Sequence, residues 1–310
     1  FFVLSGYLIT SLLLREIDRS GRVSLPDFWG RRARRLLPAS TITIVATLLA
    51  AQWMLSPLDL RSLGHDALAA AGFVTNIVFM RRSNDYFAAQ SAGASPLLHF
   101  WSLALEEQFY VVWPVLLSVL AKLARPRRAV AALSIAIVSG SFAAGWWYTT
   151  HSPVTAFYML PTRAWELGVG ALIAVAGARA ARIPGPIRSI LGWAGLGGIV
   201  AAALLINDQT PFPGYAALLP VLSTAALVTA GSSPSRWSPA PLLGLAPLQW
   251  VGNRSYAIYL WHWPAYILAT AYWGDLSAWQ STVVMAVAVA IAAISYAIIE
   301  NPIRHDKWLA

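Results

Sequence analysis

Cysteine is absent from the 310 residues. Disulfides, thiolate metal sites and cysteine nucleophiles are excluded with it. Charge is scarce: Asp, Glu, Lys and Arg together make 11% of the chain, against about 25% in soluble globular domains. Acidic residues are the scarcer sign, 13 against 22 Lys and Arg, and the formal net charge is +9. The nucleotide-binding and hydrolytic signatures GxGxxG, GxxxxGK[ST] and HExxH are missing, as is any Ser-His-Asp order. No repeat of about 20–50 residues marks a solenoid. The chain does not open on Met, and no basic segment with a small-residue cleavage site marks a signal peptide. What fills the space is apolar: 58% of residues, at a mean hydropathy of +0.60. This excludes a disordered chain, a nucleic-acid-binding domain and an ordinary soluble enzyme, and points to an integral membrane protein. Fifteen Trp and eleven Tyr suit the two lipid–water boundaries of such a protein.

A helical crossing needs about 20 mostly apolar residues. Stretches 36–55, 129–147, 190–206, 214–230, 255–271 and 281–299 meet this, and 103–120 does so apart from Glu106 and Glu107. Stretch 164–178 is shorter and carries Glu166. Stretch 1–14 reads as a clipped span whose natural start lies upstream. Stretch 67–80 is too short to cross alone, and basic residues decide its fate. If it dips and returns, 18 of the 22 Lys and Arg fall on one side and four on the other (Arg61, Arg81, Arg82 and Arg163). If it crosses, the bias vanishes. Basic residues collect on the cytoplasmic side. The expected fold is therefore all-α, a polytopic transmembrane bundle of about nine crossings plus one re-entrant or peripheral segment at 56–98. It forms a single membrane domain over 1–310, with residues 15–35 and the C-terminus cytoplasmic. Gly192, Gly195, Gly197 and Gly198 are expected to let helices approach closely, and 231–247 reads as a Pro/Ser/Gly-rich connection.

Ionisable groups inside an apolar bundle are costly, so each is a candidate for function. Four groups stand out. In HFWSLALEEQFY (99–110), His99, Ser102, Glu106 and Tyr110 share a helical face, while Glu107 and Gln108 point elsewhere. They suit acid–base chemistry or a structural hydrogen-bonded network equally. Arg163 and Glu166 stand three apart and can pair on one face, for catalysis or simply to neutralise each other. In SYAIYLWHWP (255–264), Tyr256, Tyr259, His262 and Trp263 form a polar aromatic stripe, open to packing or to substrate contact. Arg31, Arg32, Arg34 and Arg35 stand just ahead of the span at 36–55. They set topology and meet anionic lipid, or clamp the phosphates of a cytoplasmic donor.

Six segments, FFVLSGYLIT (1–10), FWGRRARRLLP (28–38), HFWSLALEEQFYVVWP (99–114), LPTRAWELGVG (160–170), SYAIYLWHWP (255–264) and ENPIR (300–304), together resemble the acyltransferase family 3 integral membrane proteins. These are bacterial O-acyltransferases that modify cell-surface glycans. The resemblance implies transfer of an acyl group, commonly acetyl, from cytoplasmic acyl-coenzyme A to a hydroxyl of an outer-leaflet or periplasmic glycan, at the bacterial inner membrane and without a metal. It assigns donor binding to Arg32 and Arg35, with Arg31 and Arg34 beside them. His99, Glu106, Arg163 and Glu166 become catalytic candidates, and Ser5, Trp101, Ser102, Tyr110, Trp165, Tyr259 and His262 substrate-contact candidates. Implied partners are membrane lipids, the glycan acceptor and, beyond the ENPIR segment, a C-terminal SGNH-type domain. Nucleic acid is not expected. Family members carry a first transmembrane helix with an Arg motif and a catalytic His. Its place is immediately before Phe1, so residues 1–310 alone are expected to be inactive. A transporter or flippase is the competing class, since many spans, a re-entrant segment and intramembrane charge fit it too. The related halves common in transporters are not seen.

Overall fold

The computed structural model describes residues 1–84, 94–180, 182–207, 209–231 and 237–305. Arg236 and Lys307, both counted toward the cytoplasmic side, lie outside the described residues, as does 85–93 within the segment 56–98. Every element among the described residues is helical. In chain order they are α1 (Phe2–Ser20), α2 (Leu25–Ala51), α3 (Pro57–Ala71), α4 (Thr75–Asn84), α5 (Phe100–Leu120), α6 (Pro126–His151), α7 (Pro153–Tyr158), α8 (Leu160–Ala180), α9 (Gly185–Leu205), α10 (Leu218–Ala230), α11 (Ala240–Leu243), α12 (Ala246–Asn253), α13 (Ser255–Trp273) and α14 (Ala278–Ser295). A π-helical turn, Tyr296–Glu300, and α15 (Asn301–His305) follow.

Among the described residues, five stretches are long and apolar enough to cross a membrane: α2, α5, α6, α9 and the run Ala278–Ile303. Helices α1, α8 and α13 have 19, 21 and 19 residues. Charges sit at 15–19 in α1, Arg163 and Glu166 lie in α8, and α13 is rich in Trp and Tyr. Large apolar side chains such as Leu8, Leu49, Val112, Ile135, Leu204 and Ile298 stand exposed. Water would penalise such surfaces, and lipid does not. The chain is a multi-pass helical membrane protein.

Element ends follow from local chemistry. Gly21 closes α1 at φ 69, its N–H bonded to the Ile17 carbonyl at 2.8 Å, the left-handed cap that glycine adopts without strain. Ser56 caps α3 with Pro57 behind it, and Ser277 and Gln280 form a reciprocal capping box on α14. The stretch 67–80 is not one helix. It breaks between α3 and α4, where Phe73 takes a positive φ of 52. Helix α3, with 15 residues, is about 22 Å long, short of the roughly 30 Å of a bilayer core. Arg31–Arg35 lie within the continuous helix α2, which starts at Leu25, just ahead of the apolar stretch that begins at Leu36.

The chain divides into two compact units, Phe1–Val23 with Gln108–Ala246, and Ser24–Glu107 with Pro247–Ala310. The first unit packs α1 and α6 against α8, and α9 against α10. Its core includes Val3, Trp165, Ala217 and Val221. Two glycines bring α1 and α8 together: a Cβ on Gly6 would lie 2.0 Å from the Leu167 carbonyl oxygen, and one on Gly170 2.1 Å from that of Val3. Both obstacles are backbone and cannot turn aside. Gly192, Gly195 and Gly198 likewise face Pro239, Leu227 and Ser223 closely, whereas a Cβ on Gly197 would meet nothing within 4 Å among the described residues. Gly6→Ala or Gly170→Ala is expected to cost about 1–3 kcal/mol or more, read as a lowered thermal midpoint in detergent. Gly140→Ala, with nothing within 4 Å, should be neutral or gain about 0.5–1 kcal/mol.

The second unit packs α2 against α3 and α13, and α13 against α14. Its core includes Ala39, Leu63, Leu97, Phe100, Leu103 and Leu260.

Candidate active site

In the second unit, a polar cluster assembles from the start of α5 and the middle of α13. His99 occupies the turn immediately before α5 rather than its first helical turn. Ser102 follows one turn on. Ser102 Oγ lies 2.5 Å from the Tyr259 hydroxyl, and that hydroxyl donates to the His99 carbonyl at 2.6 Å. The His99 ring packs against Tyr259 at 5.3 Å and His262 at 5.6 Å between centroids. His99 and Ser102 are buried, and Tyr259 and His262 half-buried.

Proline sets the orientation of His99. Pro264 lies inside α13, and lacking an N–H it cannot bond the carbonyl of Leu260, four residues earlier. That carbonyl instead faces His99 Nε2 at 3.2 Å. A carbonyl only accepts, so Nε2 carries the proton and a neutral ring keeps its lone pair on Nδ1. His99 Nδ1 is buried and has no hydrogen-bond partner among the described residues. A histidine with one nitrogen fixed by backbone and the other bare is equipped to accept a proton. His262 is placed differently: its Nδ1 lies 2.7 Å from the carbonyl of Tyr259 in its own helix.

One turn beyond Ser102, Glu106 is buried. Arg32 on α2 stands 3.2 Å from Glu107 and 3.9 Å from Glu106. Glu107, off the face of His99, Ser102 and Glu106 by helical spacing, is met there by a cation 75 positions earlier in the chain. Of the four arginines, Arg32 is committed to carboxylates, Arg31 and Arg35 are exposed and Arg34 is half-buried. The stripe of α13 also divides. Tyr256 donates to the Leu36 carbonyl of α2 at 3.1 Å and Trp263 to that of Ser95, in the segment before α5, at 2.9 Å, so both brace α13 against its neighbours instead of joining the His99 cluster. Trp101 is half-buried.

The first unit holds the other candidates. Arg163 and Glu166 pair as their spacing predicts, Nε to Oε1 at 2.5 Å, both buried. The guanidinium lies 5.4 Å from the ring centre of Phe2, 5.7 Å from Phe157 and 5.0 Å from Phe212, a cation enclosed by aromatic faces. Trp165 is buried, its backbone N–H bonded to Ser141 Oγ at 2.9 Å. Ser5 and Tyr110 are buried in this same unit.

Sequence reasoning missed two features besides Glu107. The Leu260 carbonyl was recoverable, since a proline within an apolar helix always frees the carbonyl four residues before it. Asp66, 1% exposed, pairs with Arg82 through contacts of 2.5 and 3.1 Å across the α3–α4 turn. No spacing rule announces a pair 16 residues apart.

The family model described as an acyltransferase domain (Acyl_transf_3) matches residues 1–299. The chain belongs to the acyltransferase 3 family. Among relatives, this acyltransferase-family chain is 33% identical, over its whole length, to the peptidoglycan O-acetyltransferase OatA of Listeria monocytogenes, of which it covers 51%. It is 34% identical over 99% of its length to the putative peptidoglycan O-acetyltransferase YrhL of Bacillus subtilis, covering 50%. It is 30% identical over its whole length to the O-acetyltransferase OatA of Staphylococcus aureus, covering 52%. The chain thus spans about half the length of the curated relatives it matches. No solved structure matches it.

Proposed function

We propose that this acyltransferase 3 chain is the membrane part of an O-acetyltransferase of the bacterial inner membrane. It moves an acetyl group from cytoplasmic acetyl-coenzyme A to a hydroxyl of an extracytoplasmic glycan, peptidoglycan by analogy with its relatives. The observation that carries this reading is the family match over residues 1–299 on a chain whose His99 has its lone pair directed to an unpartnered Nδ1. With about nine crossings and the basic residues of 15–35 cytoplasmic, the donor is met from one face of the membrane and the acceptor from the other.

In the proposed reaction, His99 Nδ1 takes the proton of the acceptor hydroxyl. The oxygen forms its bond to the acyl carbon, the carbon–sulfur bond breaks, and the proton returns to the coenzyme thiolate. Ser102 and Tyr259 hold the His99 backbone and offer hydroxyls to the acceptor. Glu106, held by Arg32, supplies fixed negative charge beside them. Arg31, Arg34 and Arg35 contact donor phosphates, joined by Arg32 if it exchanges a carboxylate for phosphate. For Arg163, Glu166 and Trp165 the proposed role is acceptor binding through the caged guanidinium, with Ser5 and Tyr110 contributing from the same unit. His262 contributes a ring against His99.

The test uses the protein expressed from its natural gene in inverted membrane vesicles or proteoliposomes. Labelled acetyl-coenzyme A supplied on the cytoplasmic side should label peptidoglycan fragments on the other. Absence of labelled glycan with every donor chain length tried overturns the assignment.

A further inference from the structure

The basic residues at the ends of α1, α6 and α8 do more than face one side. Arg15, Arg127, Arg128, Arg179 and Arg182, from three separate parts of the first unit, line one cavity of about 720 Å³. No Asp or Glu is among its described lining residues. Orientation in a membrane requires only that basic residues lie near one face. It does not require five arginines from three segments to line one concavity.

Two local features point to an anion. Helix α6 begins with Arg127 and Arg128 in its first turn, with no acidic residue there and no side-chain cap. This is the positive end of the helix dipole, where cations are disfavoured and anions stabilised. Arg179 at the end of α8 is favourably placed for its own helix; the α6 pair is not, and a bound anion would reverse that penalty. Arg127 is also fastened: its Nη2 and Nε contact the two Asp18 oxygens at 2.5 and 3.3 Å, fixing the start of α6 to the end of α1. Arg15 donates Nε to the Ser11 carbonyl at 3.1 Å. Gly177 meets nothing within 4 Å of a would-be Cβ, so the cavity keeps space that a side chain would fill.

We propose that this cavity is a phosphate-binding site, separate from the Arg31–Arg35 run, that takes a ligand bearing phosphate mono- or diesters. Arg127, paired with Asp18 outside the cavity lining, stands at its edge, and Arg15, Arg128, Arg179 and Arg182 supply the donors that meet phosphate oxygens. Guanidinium forks match phosphate bidentately, and the volume suits a nucleotide-sized group or a phospholipid headgroup. Those two sources share this chemistry, and experiment separates them.

The probe is direct binding, which needs no acyl transfer and so stands or falls apart from the proposed reaction. The purified protein, in nanodiscs of phosphatidylcholine, is titrated with coenzyme A by calorimetry. In parallel, its retention of phosphatidylglycerol is measured by native mass spectrometry. Arg128→Ser with Arg182→Ser alters exposed side chains and should leave folding intact. It is expected to weaken one of the two ligands about 10-fold or more, and Arg128→Lys with Arg182→Lys to recover part of that loss. Arg61→Ser with Arg81→Ser removes equal charge outside the cavity and should change neither. Loss of coenzyme A binding identifies a nucleotide-type ligand, and loss of phosphatidylglycerol identifies a headgroup; either supports the site. No loss of either ligand, or equal loss in both double variants, overturns it.

Discussion

Alanine in place of His99 is expected to lower acetyl transfer by about 10²–10⁴-fold, the span of a general acid–base group. The substitution also removes a buried ring, so a second variant separates chemistry from packing. His99→Gln keeps a side-chain N–H able to reach the Leu260 carbonyl but has no basic nitrogen. It should fold with a thermal midpoint near that of the unsubstituted protein and still be inactive. Pro264→Ala extends the test to a positioning residue. It restores an N–H four residues after Leu260 and gives that carbonyl a helical partner. His99 Nε2 then competes for an acceptor it now holds alone at 3.2 Å. Transfer should fall by up to about 10²-fold, the cost of a misplaced reacting group, with a shifted pH profile and an unchanged or raised thermal midpoint. Full activity in His99→Gln would remove His99 from the proton path and leave it a structural residue.

Loss of Arg163 alone is expected to destabilise the protein by about 3–5 kcal/mol, because it strands the buried carboxylate of Glu166. The aromatic faces of Phe2, Phe157 and Phe212 that enclose the guanidinium offer a bare carboxylate nothing in return. Arg163→Met combined with Glu166→Leu removes both charges at similar volume and should be close to neutral for folding. Thermal unfolding in detergent checks both. If Arg163→Ala unfolds at the same temperature as the unsubstituted protein, the pair does not hold this part of the fold. A double variant that folds normally yet transfers no acetyl group assigns the pair to substrate, in addition to its part in folding.

Much of the architecture is legible locally. A run of apolar residues reports its own environment, so α5, α6, α9 and α13 lie where hydropathy places them, with ends shifted by a few residues. The pairing of Arg163 with Glu166 is equally local, since three residues along a helix fixes a shared face. What stays hidden depends on distant contacts or on conformations that composition does not report. That Glu107 meets Arg32 is hidden because the partner comes from another helix. Composition does not show the left-handed turn at Phe73 that divides 67–80 between α3 and α4. Nor does it show that Arg31–Arg35 share one unbroken helix with the apolar stretch after them, because charge dilutes hydropathy.

Cysteine-free, poor in charge and rich in apolar runs, the sequence by itself determined a helical membrane protein, and its six motifs determined the family. These are properties of residue type and near-neighbour spacing, and they need no knowledge of distant contacts. Only the tertiary structure decided which polar groups meet. It turned His99 toward the carbonyl that Pro264 leaves open, gave Arg32 to two glutamates, and drew five arginines from three segments around one cavity. Inside an apolar bundle an unpaired polar group is expensive, so each one takes the partner that packing brings within reach, and that choice is made between helices far apart in sequence.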